Sequence, residues 1–145
     1  MKTLVATFAA VLLLGCSGGT GTPLDDVEPG GSLPGAKLSG VNAPEANLAR
    51  VNLSKADLSK AVLTKSNLYK ANLSEADLSG ADLTRVNLYQ ANLRGAKLGG
   101  ANLTGADMNG ARMEGADVTG AKCDKTTVFP EGFYCKDGAV GQHQH

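Results

Sequence analysis

From Ala36 the apolar and polar positions recur with a period of five: AKLSG, VNAPE, ANLAR, VNLSK, ADLSK, and onward to AKCDK, which ends at Lys125. Eighteen units follow one another without an insertion. The third position is Leu in 13 of them, the exceptions being Ala43, Met108, Met113, Val118 and Cys123. The first is Ala in 14, with Val41, Val51, Val86 and Ser66 making up the rest. On an α-helix a period of five scatters the leucines around the cylinder. On a flat strand, where side chains alternate, an odd period sends successive leucines to opposite faces. The pattern fits a short extended side followed by a bend, with Leu inside at every unit and a small residue beside it. Four such sides close a square coil, and coils stack at the strand spacing of about 4.8 Å.

These units resemble the A(D/N)LXX consensus of the pentapeptide-repeat proteins over residues 36–125. The resemblance implies an all-β fold, a right-handed quadrilateral β-helix, here of about four and a half coils. It also implies a C-terminal cap, and Thr126 to Cys135, with Phe129, Pro130, Gly132, Phe133 and Tyr134, resembles the aromatic Pro-Gly caps of such helices. Val128 and Phe133 keep the core spacing and are expected to cover the last coil. Residues 136–145 are polar and are expected to be a disordered tail.

The N-terminus changes the picture of where the chain works. Lys2 precedes a largely apolar run from Leu4 to Leu14, interrupted only by Thr7. A spanning helix needs about 20 apolar residues, so this shorter run reads as an export signal over residues 1–15. It ends in Leu13-Leu14-Gly15-Cys16, which resembles the lipobox of bacterial lipoproteins and implies lipidation at Cys16. By that family's sorting rule Ser17, in place of Asp, implies the outer membrane, facing the periplasm. Residues 16–35, rich in Gly, Ser, Thr and Pro, read as a flexible tether. Lipidation leaves Cys123 and Cys135 to pair or stay free in an oxidising compartment. A continuing square coil would put Cys135 at an outward corner away from Cys123. A cap folding back across the open end would carry it over Cys123 and permit a disulfide.

Charge is uneven although the chain is formally neutral. Arg50, Lys55, Lys60, Lys65 and Lys70 occupy five successive corners and predict a cationic collar. Tyr69 and Tyr89 are four units apart, one full coil, and should stack beside Lys65, Lys70 and Arg85. Such a patch would suit an acidic peptide, lipid head group or glycan; a solvated surface that keeps rods apart is the alternative. Second positions form columns: Asn47, Asn67, Asn87 and Asp107; Asn52, Asn72, Asn92 and Arg112; and Lys37, Asp57, Asp77, Lys97 and Asp117. The amide columns predict hydrogen-bonded ladders, and the last column a solvated ion-pair ladder. Histidine occurs only at His143 and His145, so no Ser-His-Asp or Cys-His set can form in the repeats. Two ligands on a tail make no metal site. The expectation is a non-enzymatic interaction module or spacer with no cofactor, no metal and an unidentified protein, lipid or glycan partner. Some pentapeptide-repeat relatives mimic DNA, but residues 36–125 carry 12 Lys and Arg against nine Asp and Glu, a net of +3. That is the wrong sign for a mimic, and no nucleic-acid partner is expected.

Overall fold

A computed structural model describes residues 24 and 26–143. The export signal, Cys16 and His145 lie outside the described residues.

Second residues pair in parallel with those four units later, from Ser32 with Asn52 to Asn102 with Lys122. One coil is therefore four units, and the section is a quadrilateral. Backbone accounting explains the unit. The third N–H donates to the second C=O of the next coil (Leu53 to Asn72, 2.7 Å), and the fifth to the fourth (Lys55 to Ser74, 2.9 Å). The second N–H donates to the coil before (Asn72 to Val51, 3.0 Å). The first N–H closes a turn onto the preceding third C=O, as Ala56 does onto Leu53 at 3.1 Å. In each such turn the fifth residue sits at positive φ, the signature of a type II turn.

That leaves the fourth N–H without a backbone partner, and here the Asn or Asp of the consensus acts. Its Oδ1 accepts from the residue two places on: Asn52 from Ser54 (3.1 Å), Asp57 from Ser59 (3.0 Å), Asn67 from Tyr69 (3.1 Å), Asp82 from Thr84 (3.1 Å). These are Asx turns. Where Pro34 and Pro44 stand fourth, there is no N–H to satisfy. The amides also link up the rod, Asn87 donating to Asn67 and Asn92 to Asn72 at 3.3 and 3.2 Å.

Leucines from Leu48 to Leu103 are fully buried, with the small first residues beside them. Each buried Leu contributes about 1.5–3 kcal/mol. Ser66, at a first position, is completely buried and polar. Its hydroxyl donates to Ala43 C=O at 3.0 Å and accepts from Ala46 N–H at 3.2 Å. It thereby bridges the Pro44–Glu45 turn in the coil below.

Four expectations need correction. The tether is shorter than 16–35, because Gly31–Gly35 is a repeat unit in its own right. Ser32 pairs with Asn52, Leu33 N–H donates to Asn52 C=O at 2.7 Å, and Leu33 is 6% exposed. Leu24, 2% exposed, belongs to the same core. Val128 does not cover the last coil; it is 46% exposed and pairs with Asp107, one position further back than a regular coil would give. The extra residue lies at Lys125–Thr127, where the Thr127 hydroxyl ties Asp124 N–H, Gly105 N–H and Leu103 C=O together. Phe129 takes the inward place and packs with Phe133 against the core. Nor are residues 136–143 disordered. β1 (Phe133–Lys136) pairs antiparallel with β2 (Ala139–Gln142) around Asp137-Gly138, whose φ values of 52° and 80° suit a tight hairpin. Finally, Asp57 and Asp77 act less as members of an ion-pair ladder than as local acceptors. The Asp77 carboxyl lies below its usual range because Ser79 hydrogen-bonds to it, with Lys97 a lesser cause.

The hairpin occupies the place of a further coil on one side. Val140 N–H donates to Ala121 C=O at 3.1 Å, and Cys123 N–H to Gly138 C=O at 3.0 Å. This return brings the Cα atoms of Cys123 and Cys135 to 5.9 Å, and the two are joined as a disulfide.

Candidate functional site

Because four units complete a coil, fifth positions form four columns along the corners. One reads Arg50, Lys70, Gln90, Gly110; the next in chain order back reads Glu45, Lys65, Arg85, Gly105. The other two are Gly40, Lys60, Gly80, Gly100 and Gly35, Lys55, Glu75, Gly95. The collar expected from sequence thus wraps all four corners. Two of its cations are engaged one coil away: Lys65 with Glu45 at 3.5 Å and Lys55 with Glu75 at 4.0 Å. Such exposed pairs contribute at most about 1 kcal/mol, but they cancel charge locally. Among the described residues, Arg50, Lys60, Lys70 and Arg85 have no carboxylate within 4.0 Å.

Three of these four border one face. Tyr69 and Tyr89 stack there, ring centroids 5.9 Å apart and planes inclined by 9°. Lys70 Nζ lies 5.2 Å from the Tyr69 centroid and Arg50 Cζ 5.9 Å. The Lys70 ammonium, and then the Arg50 guanidinium, hold the Tyr69 phenol below its ordinary pKa. Arg85 and Lys65 stand at the opposite edge of the face, and the Asn47–Asn67–Asn87 ladder runs between. The face therefore combines a fixed aromatic stack with positive edges and a neutral amide centre.

The corner backbone adds a feature the residue pattern did not announce. Nine non-glycine corners from Glu45 to Gln90 lie at φ between 54° and 61°, where L residues are strained. From Gly95 to Gly120 every corner is Gly, at φ of 64° to 73°. The lower half of the rod keeps long side chains where glycine fits better.

Among the described residues no three His, Cys, Asp or Glu side chains gather as a metal site. His143 lies against Tyr134, ring centroids 4.8 Å apart. A recess of about 480 Å³ beside the hairpin is lined by Met113, Phe129, Phe133, Arg112, Glu114 and His143. Glu114 is held there by the Arg94 guanidinium at 3.0 and 3.1 Å, which lowers its pKa to about 2.

A square coil built from four A(D/N)LXX units defines a class of protein, and sequence comparison agrees. The model of pentapeptide repeats matches residues 32–68, 46–85 and 87–122, and the chain belongs to that family. Its fold is the family's right-handed quadrilateral β-helix. The chain is similar to a pentapeptide-repeat protein of the Arabidopsis thaliana thylakoid lumen, with 33% identity and a TM-score of 0.63 over 64% of this chain and 65% of that one. The chain thus spans just under two thirds of that protein's length. It is also similar to a pentapeptide-repeat protein from Nostoc PCC 7120, with 34% identity, 90% and 88% coverage and a TM-score of 0.49. A third, from the cyanobacterium Cyanothece 51142, shares 40% identity over 61% and 64% of the chains with a TM-score of 0.41. No curated protein matches.

Proposed function

We propose that this protein is a non-enzymatic lipoprotein of the bacterial envelope, a rigid β-helical interaction module or spacer held to a membrane through Cys16. The observation that carries the proposal is the short apolar run from Leu4 that ends in Leu13-Leu14-Gly15-Cys16. Ser17 favours the outer membrane with the rod in the periplasm. Because the core includes Leu24, only residues 17–23 link it to the cysteine, a reach of about 27 Å at most. The rod would then stand close to the lipid surface rather than drift from it. A role in display rather than reaction is supported by membership of a family whose members are generally structural or binding proteins. Fatty-acid labelling tests the anchor: Cys16→Ser should abolish incorporation and release the protein from the membrane pellet. A variant that still labels and sediments with membranes refutes it. Crosslinking the intact lipoprotein in membranes should then yield a discrete partner.

A second reading makes the module a binder of anionic lipid or glycan. It is favoured by the tyrosine stack with Arg50, Lys70 and Arg85 at its edges.

A further inference from the structure

We propose that the face carrying Tyr69 and Tyr89 binds an acidic polysaccharide laid along the rod axis, its carboxylates met by Arg50, Lys70 and Arg85. This rests on the interaction-module reading and names its partner's chemistry. Charge complementarity selects an anion. Three of the four corner cations without a carboxylate partner among the described residues border this one face. The nearest acid at its edge, Glu45, is taken by Lys65. The cations are also held at a conformational cost. Arg50, Lys70 and Arg85 sit at φ of 60°, 54° and 55°, while their own columns end in Gly110 and Gly105. Strain that a glycine would relieve marks positions kept for their side chains.

The tyrosines narrow the class. Arg50 and Lys70 both lie over the Tyr69 ring. One coil above Tyr89 the same column holds Asn109, and the corners on either side of it are the glycines Gly105 and Gly110. The tyrosine rings give a sugar ring an apolar surface to pack against beside the cations. Spacing separates a glycan from a peptide. Rungs of the rod recur at about 4.8 Å, close to the rise of one sugar in an extended chain, whereas side chains on one face of a strand recur at about 6.6 Å. A bilayer is disfavoured by shape, because these cations line a strip along the rod instead of a broad plane.

The test uses the full chain carrying Cys16→Ser, which needs no detergent, titrated with polygalacturonate at low and high salt. Binding should weaken in salt and vanish for the fully methyl-esterified polymer. Arg50→Gly with Lys70→Gly removes two charges while supplying the residue that higher corners already use, so the fold is kept. Affinity should drop by roughly tenfold. Tyr89→Ala should cost several-fold, and Lys37→Asn on the opposite face less than twofold. The proposal is overturned by absent binding or by an equal loss in Lys37→Asn. It is equally overturned if polyglutamate or phosphatidylglycerol vesicles bind more tightly than polygalacturonate. Any of these leaves the interaction-module reading to the crosslinking experiment, which does not depend on a glycan.

Discussion

Ser66→Ala restores the commonest residue of its position, yet it should destabilise the protein. In other units the first N–H reaches the third C=O across the bend, as Val51 does onto Leu48 at 3.2 Å. At the bend holding Pro44 and Glu45 no such bond joins Ala46 to Ala43 among the described residues. The Ser66 hydroxyl from the coil above stands in both places, 3.2 Å from Ala46 N and 3.0 Å from Ala43 O. With Ser66 fully buried, water cannot substitute. Leaving a buried backbone donor or acceptor unmet costs about 1–3 kcal/mol. Partial closure of the bend and the removal of a buried hydroxyl offset some of this, giving a net loss of about 2 kcal/mol. For a domain of this size that is roughly 5–10 °C in Tm. Thermal unfolding followed by circular dichroism, at fixed protein concentration, measures it. The reciprocal change, Ala71→Ser, places a hydroxyl over the bend one coil below, which the Val51 to Leu48 bond already closes, and it too should destabilise. A Ser66→Ala protein as stable as the parent, or more so, would refute the bridging role.

Asp82→Ala should cost about 1 kcal/mol, since it strands the Thr84 N–H and hydroxyl now bound at 3.1 and 2.6 Å; equal urea midpoints would show that water replaces the carboxylate. Stability should also fall with acid. Hydrogen bonds from Ser79, Thr119 and Thr126 hold Asp77, Asp117 and Asp124 below their ordinary pKa, and Arg94 holds Glu114 at about 2. A depressed native pKa contributes stability that is full above the unfolded value, about 4, and fades as pH drops through the native one. Urea midpoints flat from pH 6 to 2 would contradict this. Gly100→Lys, at φ 67° with open space around the added Cβ, should cost about 1 kcal/mol from the backbone alone, and Lys60→Gly should return a similar amount. Opposite signs in the two Tm shifts are the check. Cys135→Ala should loosen the hairpin by about 3 kcal/mol on the chain-entropy estimate for a bridge of sequence separation 12. Two free thiols per chain in unreduced, denatured Cys16→Ser protein would show that the bridge is absent.

The core of the fold was legible because burial selects one residue type at a fixed interval, and Leu48 to Leu103 repeat it without a slip. What escaped was local. Gly31-Ser32-Leu33-Pro34-Gly35 obeys the same register, but its glycines and proline give it the composition of a linker. A single extra residue near Thr126 moved the inward place from Val128 to Phe129, and no frame with a period of five reveals a slip of one. The Asp137-Gly138 hairpin was hidden by the polarity of its flanks, although the dipeptide itself is a turn signal. At the candidate site the tyrosine stack followed from the coil length. The collar residues stand around all four corners, but Glu45 and Glu75, one coil from Lys65 and Lys55, cancel part of their charge. The strain at the corners had no signal in residue type beyond the change from Lys to Gly.

The four-sided coil also governs how such a chain can change length. Adding or deleting one unit turns everything beyond it by a quarter turn, so a one-unit event between Tyr69 and Tyr89 would send the two rings to neighbouring sides. The leucines would still point inward and the rod would still stand, its interior blind to the change. Only steps of four units return each outward side chain to its own column. Growth by whole coils preserves a surface, growth by units rewrites it, and stability alone cannot tell the two apart.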